Sequence, residues 1–254
     1  MSEMSGHPRN ALVTGGTAGI GRAIALALLR DGFRVAVLGR RAGPLADMER
    51  LGCLAVAADV GDSVAVDRAR DVLETAFGAL DALVNAAGVI AREPLGEATA
   101  DAMQAQIAVN LVGTIWSCRS FLPMLQRARG AIVNFSSALA HRPIIGTSVY
   151  AAAKGGVEAF TRALAYEAGP AGVRVNAIAP SLVRTDIWTS AGMSPDAYNG
   201  MLRARGREYP LGRAGTPEDV AELAAFLVSS RAAWMTGAIV PLDGGSRLGL
   251  HIER

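Results

Sequence analysis

Of the 25 Lys and Arg residues in this 254-residue chain, one alone is lysine, Lys154, and it stands four positions after a tyrosine in Tyr150-Ala151-Ala152-Ala153-Lys154. With four tyrosines in the chain, chance would produce that offset in roughly four of 254 placements, so the spacing carries modest weight by itself. On a helix, residues i and i+4 share a face. A phenol titrates near pH 10, too high for efficient acid/base work at neutral pH, and a compact ammonium beside it favours the phenolate and lowers that value. Arginine's planar fork does not replace such a point charge. A packed tyrosine beside a solvated lysine is the plainer reading of the pair taken alone. Upstream, Asn134-Phe135-Ser136-Ser137 closes an apolar segment, and the Ser137 hydroxyl at that strand end would hydrogen-bond a carbonyl and stabilise the alkoxide of a hydride transfer. His141 follows in a loop with no acid patterned to orient it, so a Ser-His-Asp nucleophile is not expected.

A second group of residues has the chemistry of a dinucleotide site. Thr14-Gly15-Gly16-Thr17-Ala18-Gly19-Ile20-Gly21 joins a strand to a helix. Its glycines permit a tight turn and close backbone approach, and the helix start offers unpaired N–H groups to a pyrophosphate. Asp59-Val60 follows the third strand, where a carboxylate would accept from an adenine amino group, and Asn85-Ala86-Ala87-Gly88 follows the fourth. The second strand ends in Gly39-Arg40-Arg41, with no acid for the ribose hydroxyls. Arginine there accommodates a 2′-phosphate, which favours NADP(H), with NAD(H) as the alternative. Solvated helix-start arginines are the plainer reading for Arg41.

These groups need a frame. Short β-rich runs alternate with helix-length amphipathic ones: Ala11–Thr14, Ile20–Leu29, Arg34–Leu38, a helix ending near Leu51, Leu54–Ala57, a helix over Ser63–Phe77, then Ala82–Asn85. A long helical stretch over Asp101–Arg127, Ala131–Phe135, a helix over Ser148–Ala168, Val173–Ile178 and Ala238–Pro241 complete the series. The βαβ rhythm predicts one α/β domain over residues 1–254: a doubly wound, Rossmann-type, seven-stranded parallel sheet with helices on both faces. Residues 181–210 follow a strand end without clean periodicity and carry Trp188, Met193, Tyr198, Met201 and Tyr209. They are placed to form a lid over a ligand.

Net charge is +2, spread along the chain, which leaves no nucleic-acid footprint. No apolar run approaches a membrane span and Met1–Asn10 lacks a secretion-type stretch, so a cytoplasmic protein acting on a small molecule is expected, without membrane partners. Cys53 and Cys118 are expected to be buried free thiols, and no His or Cys set has metal-ligand spacing.

Thr14–Gly21, Asn85–Gly88, Asn110, Ser137, Tyr150 and Lys154, together with Pro180, Val183 and Thr185 after the sixth strand and Asp243-Gly244-Gly245, resemble the short-chain dehydrogenase/reductase pattern over nearly the whole chain. The resemblance implies that Tyr150 exchanges the proton, Lys154 tunes it and binds ribose, and Ser137 orients the carbonyl. Asn110 would hold a water linking Lys154 to solvent; a polar residue that kinks its helix is the plainer reading. It further implies nicotinamide contacts from Pro180, Val183 and Thr185, and a homotetramer built through the long helices and C-terminal strand. The expected reaction is hydride transfer between a nicotinamide cofactor and a ketone or secondary alcohol. A 3-oxoacyl-[acyl-carrier-protein] reductase is the alternative, with Arg127 and Arg129 as contributors to a carrier patch, for which a solvated face is the plainer reading, and a catalytically silent dinucleotide sensor is the rival of another class. Two positions depart from the pattern. Ser181 stands where glycine is usual, and Ala18 where members preferring NADP often carry a basic residue. His141 and Arg142 flank the site and are explained equally by polar substrate groups or by water.

Overall fold

In the computed structural model, which describes residues 8–248, the apolar runs form β1 (Asn10–Thr14), β2 (Arg34–Gly39), β3 (Leu54–Ala57), β4 (Ala82–Asn85), β5 (Ala131–Phe135), β6 (Arg174–Pro180) and β7 (Ile239–Leu242). All pair in parallel in the order β3-β2-β1-β4-β5-β6-β7. The order reverses between β1 and β4, where an open α/β sheet leaves a crevice at its carboxyl edge. Register aligns that edge: Thr14 lies beside Asn85, and Asn85 beside Asn134.

Alternation along the strands fills two cores. Val13, Val37, Val84 and Val133 pack on one face beneath α1 (Gly19–Arg30), α2 (Ala42–Arg50) and α9 (Pro217–Val228), whereas Leu12, Leu38, Leu83 and Ile132 pack on the other beneath α3 (Ser63–Phe77), α5 (Gly113–Ala128) and α6 (Ser148–Ala168). Each such aliphatic side chain, fully buried, stabilises the fold by about 1.5–3 kcal/mol. Helix α9 is additional to the expected series and has its start signal in Thr216-Pro217-Glu218-Asp219: Thr216 and Asp219 form a capping box with Pro217 in the first turn. Arg213 holds the Asp219 carboxyl well below the usual range.

The stretch expected as one helix over Asp101–Arg127 is three pieces. α4 (Ala100–Ile107) runs into a π-helical turn, Ala108–Val112, before α5 begins. Gly113, just after the turn, lies so close to the loop following β3 that an added Cβ would meet Val60 at 2.9 Å. The predicted lid contains α7 (Ile187–Ser190) and α8 (Pro195–Glu208). No described helix is long and apolar enough to cross a membrane, and no described group of His, Cys, Asp and Glu has metal-binding geometry. Both cysteines are buried and free. The expectation that Met1–Asn10 lacks a secretion stretch falls largely on residues outside those described.

Candidate active site

Helix α6 sets Tyr150 and Lys154 on one face against the end of β5, and both are buried at 8% and 4% exposure. The Lys154 ammonium donates to the Phe135 carbonyl oxygen at 2.8 Å and lies 5.7 Å from the centre of the Tyr150 ring. Ser137 caps the short 3-10 turn after β5, its hydroxyl oxygen accepting from the Leu139 amide at 3.2 Å. Tyr150, Lys154 and Ser137 line one cavity of about 680 Å³.

Burial pushes the Tyr150 phenol up to about 12, with the Ser137 hydroxyl pulling the other way, and burial pushes the Lys154 ammonium down to about 8. The expected lowering of the phenol by Lys154 is not found in this protein. Burial disfavours the charged form of each group, and the ammonium donates to a carbonyl oxygen rather than to the phenol. A phenol that keeps its proton at neutral pH is still a far stronger acid than the alcohol corresponding to an alkoxide, so the arrangement suits proton donation to a forming alkoxide.

One turn further along α6 the structure supplies an acid that the sequence reading had not connected to His141. Glu158 is 3% exposed; its Oε1 accepts from Ser136 Oγ at 2.7 Å and lies 2.7 Å from His141 Nε2. Ser136 Oγ also lies 3.3 Å from the Lys154 carbonyl oxygen. The correction leaves the conclusion about nucleophilic chemistry intact, since a triad needs imidazole between hydroxyl and carboxylate, and here the carboxylate stands in the middle. The three residues tie the segment carrying Ser137 to the helix carrying Tyr150. The i+4 offset from Lys154 was the signal available for Glu158.

Asn110 occupies the π-helical turn and is fully buried. Its Oδ1 accepts from the Val89 amide at 3.2 Å, while its Nδ2 donates to the carbonyl oxygens of Val89 at 2.8 Å and Gln106 at 2.9 Å. It grips the loop after β4 beside Gly88, where an added Cβ would stand 3.0 Å from Asn110 Oδ1 and 3.8 Å from Lys154 Nζ.

A second cavity, of about 530 Å³, runs along the carboxyl ends of β1 to β4 and is lined by Gly15, Thr17, Gly19, Ile20, Gly21, Arg40, Arg41, Asp59, Val60, Ala86 and Gly88. It shares Ile20, Ala86, Gly88, Ile90, Thr185 and Ile187 with the wall of the first. A dinucleotide fits this cradle. Ala18 at the start of α1 provides no side-chain cap, and the first turn has no acid, so its amides are open to an anion. Gly15, at φ +64°, approaches the strand β4 loop so closely that a Cβ would stand 2.8 Å from Ala87 Cα. Arg40 faces Asp59 at 3.4 Å, both largely exposed. Asn85, expected among the cofactor contacts, lines neither cavity; its Nδ2 donates to Asn134 Oδ1 at 2.9 Å inside the core.

Pro180, Val183 and Thr185 line the first cavity where the stretch 181–210 begins. Of the large residues in that stretch, Trp188, Met201 and Tyr209 line the cavity, whereas Tyr198 braces: its hydroxyl accepts from the Thr185 amide at 2.8 Å and lies 3.3 Å from the Val183 carbonyl oxygen. Ser181 bonds the Tyr209 hydroxyl at 2.8 Å and so fastens the start of the stretch to its end.

Residues 15–247 match a family model described as enoyl-(acyl carrier protein) reductase. The chain is 37% identical over 251 residues to 2-(S)-hydroxypropyl-CoM dehydrogenase 3 of Xanthobacter autotrophicus, covering 95% of this chain and 98% of that protein. It is 37% identical over 240 residues to the 3-oxoacyl-[acyl-carrier-protein] reductase of Bos taurus, covering 93% and 97%. The ligand-free structure of Thermoplasma acidophilum aldohexose dehydrogenase (AldT) matches with a TM-score of 0.90 at 28% identity, covering 98% of this chain and 97% of that one. With a parallel seven-stranded sheet, a glycine-lined crevice at its switch point and relatives that are oxidoreductases, the chain belongs to the short-chain dehydrogenase/reductase family, which generally uses NAD(P)(H).

Proposed function

We propose that this protein transfers a hydride between NADP(H) and a ketone or secondary alcohol, with Tyr150 as the acid/base. One observation carries the reading: Tyr150 and Ser137 share the wall of a cavity that adjoins the glycine-lined crevice and has residues in common with it. NAD(P)(H) supplies or accepts the hydride. In the reductive direction Ser137 donates a hydrogen bond to the substrate carbonyl oxygen, and Tyr150 passes its proton to that oxygen as the carbonyl carbon gains the hydride. Lys154, beside Tyr150, would hold the nicotinamide ribose, and Asn110 fixes the loop that carries Gly88 near it. Arg40 and Arg41 at the adenosine end support NADP(H); Ala18 leaves them to act alone.

Changing Tyr150 to Phe should lower turnover of a reducible ketone by about 10²–10⁴-fold while NADPH still binds, read from nicotinamide absorbance and cofactor fluorescence. Wild-type rates in that variant would sink the assignment, and cofactor binding without turnover by the wild type across a broad carbonyl panel would support a silent sensor instead. The similarity to 3-oxoacyl-[acyl-carrier-protein] reductases supports a carrier-linked substrate as the second reading. Arg127 is a poor member of its docking patch, since it is engaged by both oxygens of Glu74 and by the Gly78 carbonyl oxygen. We also propose a homotetramer, supported by the long helices α5 and α6 and by the large exposed side chains Tyr166 on α6 and Trp234 before β7.

A further inference from the structure

The substrate cavity carries more positive than negative side chains, and the pairing among them is uneven. Its wall includes Arg142, Arg162, Arg205 and Arg247 against Glu158, Glu208 and Asp243. Every one of those carboxylates is engaged. Glu158 is held by Ser136 and His141, with Arg162 at 3.9 Å. Glu208 lies 2.9 Å from Arg205. Asp243 commits both oxygens to its own turn: Oδ1 accepts from the Gly245 amide at 3.0 Å, and Oδ2 from the Arg247 amide at 3.0 Å and Ser246 Oγ at 3.3 Å. Among the described residues, Arg142 and Arg247 therefore have no carboxylate within 4.0 Å.

These two arginines come from distant segments. Arg142 stands in the loop after the Ser137 turn, and Arg247 in the turn that closes the described chain; both are exposed at the cavity rim. The Arg142 guanidinium donates to the carbonyl oxygen of Ser246, the residue before Arg247, which joins the two segments, and both arginines line the same cavity. Two guanidinium groups without a carboxylate partner on the wall of one cavity are suited to meet an anion bound there.

We infer that the substrate carries an acidic group, a carboxylate or a phosphate, bound at the rim by Arg142 and Arg247 while its carbonyl meets Ser137 and Tyr150. This rests on the hydride-transfer reading above and adds a substrate class to it. The acid belongs either to the substrate's own carbon chain or to a phosphorylated thioester carrier, and two pairs of probes separate these sources. One pair is 5-oxohexanoate and its methyl ester; the other is acetoacetyl-CoA and acetoacetyl-N-acetylcysteamine.

With NADPH, kcat/KM should favour the charged member of at least one pair by about tenfold or more, chiefly through KM. In Arg142→Gln and in Arg247→Gln that ratio should fall toward one. Equal turnover of charged and neutral members by the wild type, or a preference that survives both substitutions, overturns the inference and leaves the hydride-transfer reading standing. Calorimetric titration of NADPH-loaded Tyr150→Phe with the same four compounds gives an independent readout. Selective binding of the charged member, lost when Arg142 or Arg247 is also replaced, supports the acidic substrate even where the wild type turns over none of them, an outcome that counts against hydride transfer alone. Equal binding of charged and neutral members overturns it.

Discussion

At the scale of single residues, the burial of Tyr150 and Lys154 has consequences for pH. A phenol pushed up to about 12 stays protonated through neutral pH, so ketone reduction should be nearly independent of Tyr150 ionisation between about pH 6 and 9. Alcohol oxidation needs the phenolate, whose fraction grows about tenfold per pH unit below that value; oxidation should therefore climb steeply with pH, and a flat oxidation profile over the same range would count against Tyr150 as the base. The same shifts act on stability. Lys154 titrates below its ordinary value of 10.5 when folded, so the stability it contributes is fully present above pH 10.5 and is lost as pH falls through about 8. Tyr150 titrates above its ordinary 10.0, so its contribution is present below pH 10 and lost as pH rises through about 12. Thermal unfolding of Lys154→Met should show a smaller rise in midpoint between pH 8 and 10 than the wild type. The pair itself was legible from one unusual lysine at a helical offset. The direction of the phenol's shift was not, because it depends on what surrounds the pair in three dimensions, and no spacing encodes desolvation.

Among the elements, α6 carries most of the site, and three of its buried polar residues lie one turn apart: Tyr150, Lys154 and Glu158. The first two stand out by residue type, while Glu158 reads as one more acid on an amphipathic helix until β5 places Ser136 against it. Replacing Glu158 by Ala removes the carboxylate that accepts from Ser136 and meets His141, and should cost about 1–3 kcal/mol in urea unfolding. Turnover should fall as well, because the Ser137 turn loses its tie to α6. Glu158→Gln, which keeps an acceptor for Ser136, should recover most of the stability; an Ala variant as stable as the wild type would show that the network is idle. The π-helical turn at Ala108–Val112 was hidden for a related reason. The sequence reads as one helical stretch across it, and Asn110 within the turn bonds Val89, a partner that only the folded β4 loop supplies. At the adenosine end, Arg40→Ala should raise the KM for NADPH about tenfold with little change for NADH, and a strong native preference for NADH would remove the case for a 2′-phosphate contact there.

For the whole molecule, the alternation of short apolar strands with amphipathic helices was enough to foresee a doubly wound sheet, since parallel strands buried on both faces and right-handed crossovers leave few other topologies. What that pattern leaves out is the outside of the finished sheet. β7 lies at one edge, and near it Trp234 is fully exposed, while Tyr166 stands 89% exposed on the outer face of α6. Large aromatic side chains in water at two separate faces, one beside a sheet edge and one on a long helix, are what two kinds of self-association surface would present. A tetramer with paired two-fold axes needs two such surfaces, each meeting its own copy. Sedimentation equilibrium should then give about four times the chain mass of 26.3 kDa. Tyr166→Glu and Trp234→Glu should each reduce the assembly to dimers, by disabling different interfaces, and the double variant to monomers. A wild-type protein that sediments as a monomer would reject the tetramer, and dimers unaffected by either substitution would place the interface on some other face.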